Sequence, residues 1–192
     1  ILNSNFRVSI SQINSLYLNM LEIIKQGRDE SINIIPLIKN EISKFQIGRP
    51  IIDKSYLKRK EEDSLIKYLL KEKLLLLTGL SLCGKSEFAK KIASHFTNKG
   101  YDYLITDNIN NLKRFLLSKQ HDNKIAILED PWGHIKPKSN FIEISKMIAD
   151  IIKNIQNHHK LIITSRVEIL LEIFMAVDLD ECKIQEKKWY NL

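Results

Sequence analysis

Gly79-Leu80-Ser81-Leu82-Cys83-Gly84-Lys85-Ser86 follows the apolar run Leu74-Leu75-Leu76-Leu77 and precedes a stretch in which Phe88, Ala89, Ile92 and Phe96 recur at helical spacing. A strand that passes through such a loop into a helix must turn sharply. The glycines let the backbone curl so that successive N–H groups point inward, and the new helix adds the positive end of its dipole. An anionic phosphate is the natural guest of that concavity. Lys85 supplies a point charge for the outer phosphates, and the Ser86 hydroxyl can ligand Mg²⁺, which a methyl group could not. The candidate phosphate-binding stretch is therefore Gly79, Leu80, Ser81, Leu82, Cys83, Gly84, Lys85, Ser86 and the adjoining Glu87. The bland alternative is a tight turn with a solvated surface lysine.

Other short apolar runs share this context. Tyr103-Leu104-Ile105, Ile125-Ala126-Ile127-Leu128 and Leu161-Ile162-Ile163 are too short for helices and are separated by helical patterns such as Phe141, Ile144, Ile148, Ile151, Ile152 and Ile155. Strands apolar on both faces that alternate with amphipathic helices require a parallel sheet covered on both sides, so the fold class is α/β in three layers. Two of these runs end in chemistry. Glu129-Asp130 closes the third strand, where a metal-holding carboxylate (Glu129) and a group that orients or deprotonates water (Asp130) are needed. Thr164-Ser165-Arg166 closes the fourth, and the fork of donors on Arg166 suits it to sense a third phosphate. An acidic turn before Pro131 and Gly133, and a surface-paired arginine, are the structural alternatives.

Ile10, Ile13, Leu16, Tyr17, Met20, Leu21 and Ile24 predict an amphipathic helix over about residues 9 to 26, and Ile34, Leu37, Ile38, Ile42 and Phe45 predict a second, ending at Gly48-Arg49-Pro50. A boundary near residue 48 divides a helical segment or linker (1–48) from a nucleotide-binding core (49–192). The absence of a starting Met and the abrupt finish at Leu192 lead us to expect flanking parts on both sides, with the core cut before its C-terminal portion. The net charge of +7 is spread among acids, as in Lys58-Arg59-Lys60-Glu61-Glu62-Asp63, which favours a solvated helix start over a nucleic-acid stripe. Nucleic acid is a secondary partner. Cys83 and Cys182 lack metal-knuckle spacing and fit free thiols in a cytoplasmic setting. No run approaches the roughly 18 apolar residues of a membrane span. His158 and His159 lack a converging third ligand and are assigned no site, while Trp132 could stack on a nucleotide or cover the sheet edge.

The phosphate loop, Glu129-Asp130-Pro131-Trp132-Gly133 and Ile162-Ile163-Thr164-Ser165-Arg166 with Val167-Glu168-Ile169-Leu170 together resemble the STAND class of signal-transduction ATPases, and within it the novel STAND NTPase 3 type, over about residues 52 to 190. The resemblance implies a core of five parallel strands in order 5-1-4-3-2, ATP with Mg²⁺ as cofactors, self-association, an effector domain upstream and a sensor region downstream, and a setting in prokaryotic antiviral defence. It also implies that Tyr56, Leu57 and Arg59 form a lead-in segment near the adenine. Glu129 stands where the family has an aspartate, and its extra methylene moves the carboxylate out by about 1.5 Å, which points to slow hydrolysis or an indirect metal contact.

Three functions compete on the sequence. The leading one is a regulatory ATPase switch in which Lys85, Glu129, Asp130 and Arg166 act on the nucleotide. A small phosphotransferase would use Asp130 on an acceptor hydroxyl but lacks an arginine-rich lid. A non-hydrolysing ATP scaffold or nucleic-acid adaptor would bind without turnover. The guanine-reading Asn-Lys-x-Asp motif has no match, so ATP is expected rather than GTP.

Overall fold

The structure is a computed structural model that describes residues 18–22, 24, 50–118 and 123–192. Of the helix expected over 9 to 26, residues 18–22 and 24 are helical; the one expected over 34 to 45 and the break at 48–49 lie outside the described residues. From Pro50 onward, strands and helices alternate. Helix α1 (Glu62–Lys71) leads into β1 (Leu74–Gly79), then α2 (Lys85–Thr97), β2 (Asp102–Thr106), α3 (Ile109–Leu116), β3 (Lys124–Glu129), α4 (Phe141–Asn154), β4 (Lys160–Arg166), α5 (Val167–Phe174) and the short β5 (Tyr190–Asn191).

The strands form one sheet in the order β2-β3-β4-β1-β5. Every pairing in it is parallel. Read from the other edge, this is the order 5-1-4-3-2 expected above. Side-chain alternation divides each strand between two cores. Leu75 and Leu77 of β1, Ile125 and Ile127 of β3 and Ile162 of β4 pack with Leu65 and Leu69 of α1 and with Phe88, Ile92 and Phe96 of α2. Leu74, Leu76, Ala126, Leu128, Leu161 and Ile163 point the other way, against Leu112 of α3, Ile148 and Ile152 of α4 and Leu170 of α5. Burial on both faces is what makes these strands read as unbroken apolar runs.

Local chemistry sets the helix starts. The Asn108 side chain accepts from the N–H groups of Asn110 (2.9 Å) and Asn111 (3.2 Å), capping α3. By contrast α2 begins at Gly84 in the left-handed conformation (φ 84°), with no side-chain cap. The N–H groups at that end are therefore left for something else.

The structure places the two histidines and the tryptophan that the sequence left without a site. His158 and His159 lie beyond the end of α4, in the turn into β4 rather than on a helix. Trp132 is core: it is 1% exposed, its Nε1 donates to Ser145 Oγ at 2.9 Å, and its ring meets Trp189 edge-on with centroids 6.0 Å apart. It covers the sheet and does not offer a stacking face. Among the described residues, no helix is long and apolar enough to cross a membrane.

Candidate functional site

The loop between β1 and α2 takes its curl from backbone geometry. Gly79 (φ 155°) and Gly84 (φ 84°) both have positive φ, and Leu82 between them is left-handed at φ 61°. A β-carbon at Gly79 would lie 2.7 Å from Cys83 Sγ and 3.0 Å from the Leu192 carbonyl oxygen, so a side chain has no room there. The Cys83 N–H donates to Leu80 O at 3.4 Å, whereas the N–H groups of Ser81, Leu82, Gly84, Lys85, Ser86 and Glu87 find no carbonyl among the described residues. The first turn of a helix has no intrahelical acceptors for its amides, and the curled loop adds more donors to the same concavity.

Lys85 is buried at 8% exposure, which excludes a solvated surface lysine. Its Nζ donates to the carbonyls of Gly79 (3.0 Å) and Leu80 (2.7 Å) and lies 3.8 Å from Cys83 Sγ. The ammonium thus closes the loop on itself. Ser86 is exposed in the first turn of α2, while Leu80 and Leu82 carry exposed apolar side chains at the loop's rim.

The lead-in segment is tied to the loop at two points. Arg59 Nη2 donates to the Cys83 carbonyl, and its guanidinium lies over the Phe88 ring, 5.5 Å from the centroid. The Asp53 N–H donates to Glu87 Oε2 at 3.0 Å, and Lys90 Nζ donates to Glu87 Oε1 at 2.8 Å. Partial burial opposes ionisation of Glu87, but these donors outweigh it and hold the carboxyl below its usual range. Between the segment and α2 opens a cleft of about 460 Å³, lined by Asp53, Ser55, Tyr56, Leu57, Lys58, Arg59, Gly84 and Glu87. Tyr56 donates its hydroxyl to Glu62 Oε2 at 2.9 Å, and Leu57 is 84% exposed. The expected residues Tyr56, Leu57, Arg59, Gly84 and Glu87 therefore share one cleft.

The carboxyl ends of β1, β3 and β4 lie side by side because β4 sits between the other two, with Glu129 opposite Thr164, Thr78 opposite Ser165 and Gly79 opposite Arg166. Glu129 continues the alternation of Ile125 and Ile127, and so falls on the face that α2 covers. Asp130 follows in the left-handed conformation (φ 39°), with its N–H donated to Thr164 O at 3.0 Å and its Oδ2 3.1 Å from His134 Nδ1. Thr78 Oγ1, Glu129 Oε1, Asp130 Oδ1 and Ser165 Oγ are all buried without a hydrogen-bond partner among the described residues. Burial pushes the Tyr103 phenol up, reinforced by the carboxylates of Glu129 and Glu87, so a neutral hydroxyl stands near both acids. Arg166 is half-buried, and its side chain makes no ion pair or hydrogen bond among the described residues.

Thr78, His134 and Asp53 also belong to this region and carry little sequence signal. Thr78 stands out only as a hydroxyl closing an apolar strand, opposite Ser165. His134 is visible only through a turn that brings it back onto Asp130.

No curated protein matches the chain. Among solved structures, a chain of the E. coli MS115-1 HORMA:CdnC:Trip13 complex is similar at 10% sequence identity with a TM-score of 0.36, covering 83% of this chain and 57% of that one. This chain thus spans little more than half the length of that neighbour. The family model described as Novel STAND NTPase 3 matches residues 56–189, from the Tyr56 cleft to Trp189. With well over half of its length matched, the chain belongs to the Novel STAND NTPase 3 family.

Proposed function

We propose that the chain is the ATP-binding and ATP-hydrolysing core of a signal-transduction switch. The observation that carries this is the set of buried, unpartnered polar atoms on Thr78, Glu129, Asp130 and Ser165 at one sheet edge, beside a loop of free amides and next to Arg166. Leaving a buried polar atom unpaired costs roughly 1–3 kcal/mol, so their concentration at one edge argues for a ligand that satisfies them.

The residues present fit a nucleotide with a divalent cation. Free amides and Lys85 suit the phosphates, and the cleft at Tyr56, Leu57 and Arg59 suits the base and ribose. Ser86 and Glu129 would hold Mg²⁺, which supplies charge neutralisation on the phosphate oxygens. Lys85 gives up its contacts with Gly79 and Leu80 to reach an anion, and Asp130 holds the proton acceptor Oδ1 at the strand edge. Arg166, opposite the first loop glycine and free of an ion pair, senses the third phosphate. We further propose, on the family resemblance, that nucleotide state controls self-association and an effector in antiviral defence.

Calorimetric titration with ATP tests the binding role. We expect Lys85→Ala to abolish measurable affinity and any ATP-triggered assembly while leaving the fold intact. Normal binding and assembly by that variant would reject the proposal.

A further inference from the structure

The turn after β3 carries a contact that neither the phosphate loop nor the strand ends require. His134 Nδ1 lies 3.1 Å from Asp130 Oδ2, and the two residues are four apart but not in a helix. The contact exists because the backbone between them is fixed. Asp130 N–H is bound to Thr164 O at 3.0 Å, Gly133 N–H to Asp130 O at 3.0 Å, and Lys138 N–H to Trp132 O at 2.7 Å. Pro131, Trp132 and Gly133 are buried, and Gly133 adopts φ 129°.

With its backbone anchored, the Asp130 carboxylate retains only side-chain rotation, which would exchange Oδ1 and Oδ2. The imidazole breaks that symmetry. Oδ2 takes the histidine, and Oδ1 is left buried and unpartnered among the described residues, next to Glu129. A histidine held by a carboxylate through Nδ1 carries its proton on that nitrogen.

We propose that His134 is a positioning residue for nucleotide hydrolysis: its Nδ1–H anchors Oδ2 of Asp130 so that Oδ1 stays presented at the strand edge. This rests on Asp130 being the group that activates water, as proposed above. The His134 side chain is 58% exposed, and a hydrogen bond from a ring that water can reach and replace adds little to stability. A loss of rate on its removal therefore would not be a loss of fold.

The test uses the whole chain and three measurements: single-turnover ATP hydrolysis, ATP affinity and the thermal midpoint. For His134→Ala we expect the hydrolysis rate to fall on the order of tenfold to a hundredfold, as for partners that orient a reacting group, with affinity and thermal midpoint unchanged. His134→Asn, whose amide N–H₂ can take the place of Nδ1–H, should recover part of the rate. A readout independent of turnover is heteronuclear NMR of the imidazole nitrogens in nucleotide-free protein. The wild type should show the Nδ1–H tautomer for His134, and Asp130→Ala should shift it to Nε2–H. A wild type that hydrolyses ATP, with His134→Ala within twofold of it, overturns the role of His134 alone, as does an Nε2–H tautomer indifferent to Asp130→Ala. A wild type that binds ATP and never hydrolyses it overturns the hydrolytic function, and the positioning role with it.

Discussion

At Gly133 a β-carbon would lie 2.2 Å from the Lys136 carbonyl oxygen, and the residue holds φ 129°. Nothing flexible can move aside there, because the obstructing atom is backbone. We expect Gly133→Ala to destabilise the chain by about 1–3 kcal/mol, lowering the thermal midpoint by about 2–4 °C per kcal/mol for a chain of this size. A calorimetric scan unchanged from wild type would show that the turn relaxes freely. Glycines of the phosphate loop and the glycine of this turn are legible in sequence because glycine adopts positive φ without the steric cost that Leu82 and Asp130 bear. Lys85 was legible as a cation near phosphate, but not its hold on the loop's own carbonyls, since closure of the loop depends on where Leu80 turns. His134 was not legible at all: its partner lies four residues back across a turn whose shape depends on Trp132 being buried.

Among the elements, the first four strands are legible in the sequence, and so are the polar ends of β3 and β4. Four apolar runs marked β1 to β4 because both faces of each are buried. Their polar ends, such as Thr78 and Ser165, extend the ladder beyond the apolar letters because sheet hydrogen bonding does not depend on side-chain polarity. Strand β5 is two residues long, with no periodicity to read, and only the family resemblance called for a fifth strand. It is nevertheless placed firmly. Trp189 stands just before it, packed edge-on against Trp132, and Tyr190 and Asn191 pair with Leu77 and Thr78 of β1. The aromatic pair thus ties the acidic turn to the strand beside the phosphate loop. Truncation of a buried aromatic costs about 3–5 kcal/mol, so Trp189→Ala should lower the denaturation midpoint severely, whereas Trp189→Phe should recover most of it. Equal stability of wild type and Trp189→Ala in urea would show that β5 is held without this contact.

At the scale of the whole molecule, the described residues from Tyr56 to Leu192 assemble one sheet with a core on each face. We propose that the boundary near residue 48 separates this unit from the preceding helical segment. A fragment of residues 50–192 should unfold in a single cooperative transition and bind ATP within about twofold of the whole chain, an affinity difference of only about 0.4 kcal/mol. Loss of cooperative unfolding would place residues 1–48 in the core. The charge of +7 gives a general attraction for polyanions, and it does not distinguish nucleotide from nucleic acid. Hydrolysis does. Single-turnover conversion of ATP to ADP in the presence of Mg²⁺, compared between wild type and Asp130→Asn, bears on it most directly. We expect slow conversion by the wild type and loss of at least about a hundredfold in rate for Asp130→Asn, the scale of a lost general base, with ATP still bound; ATP held unconverted by the wild type, or equal rates in both, would contradict it.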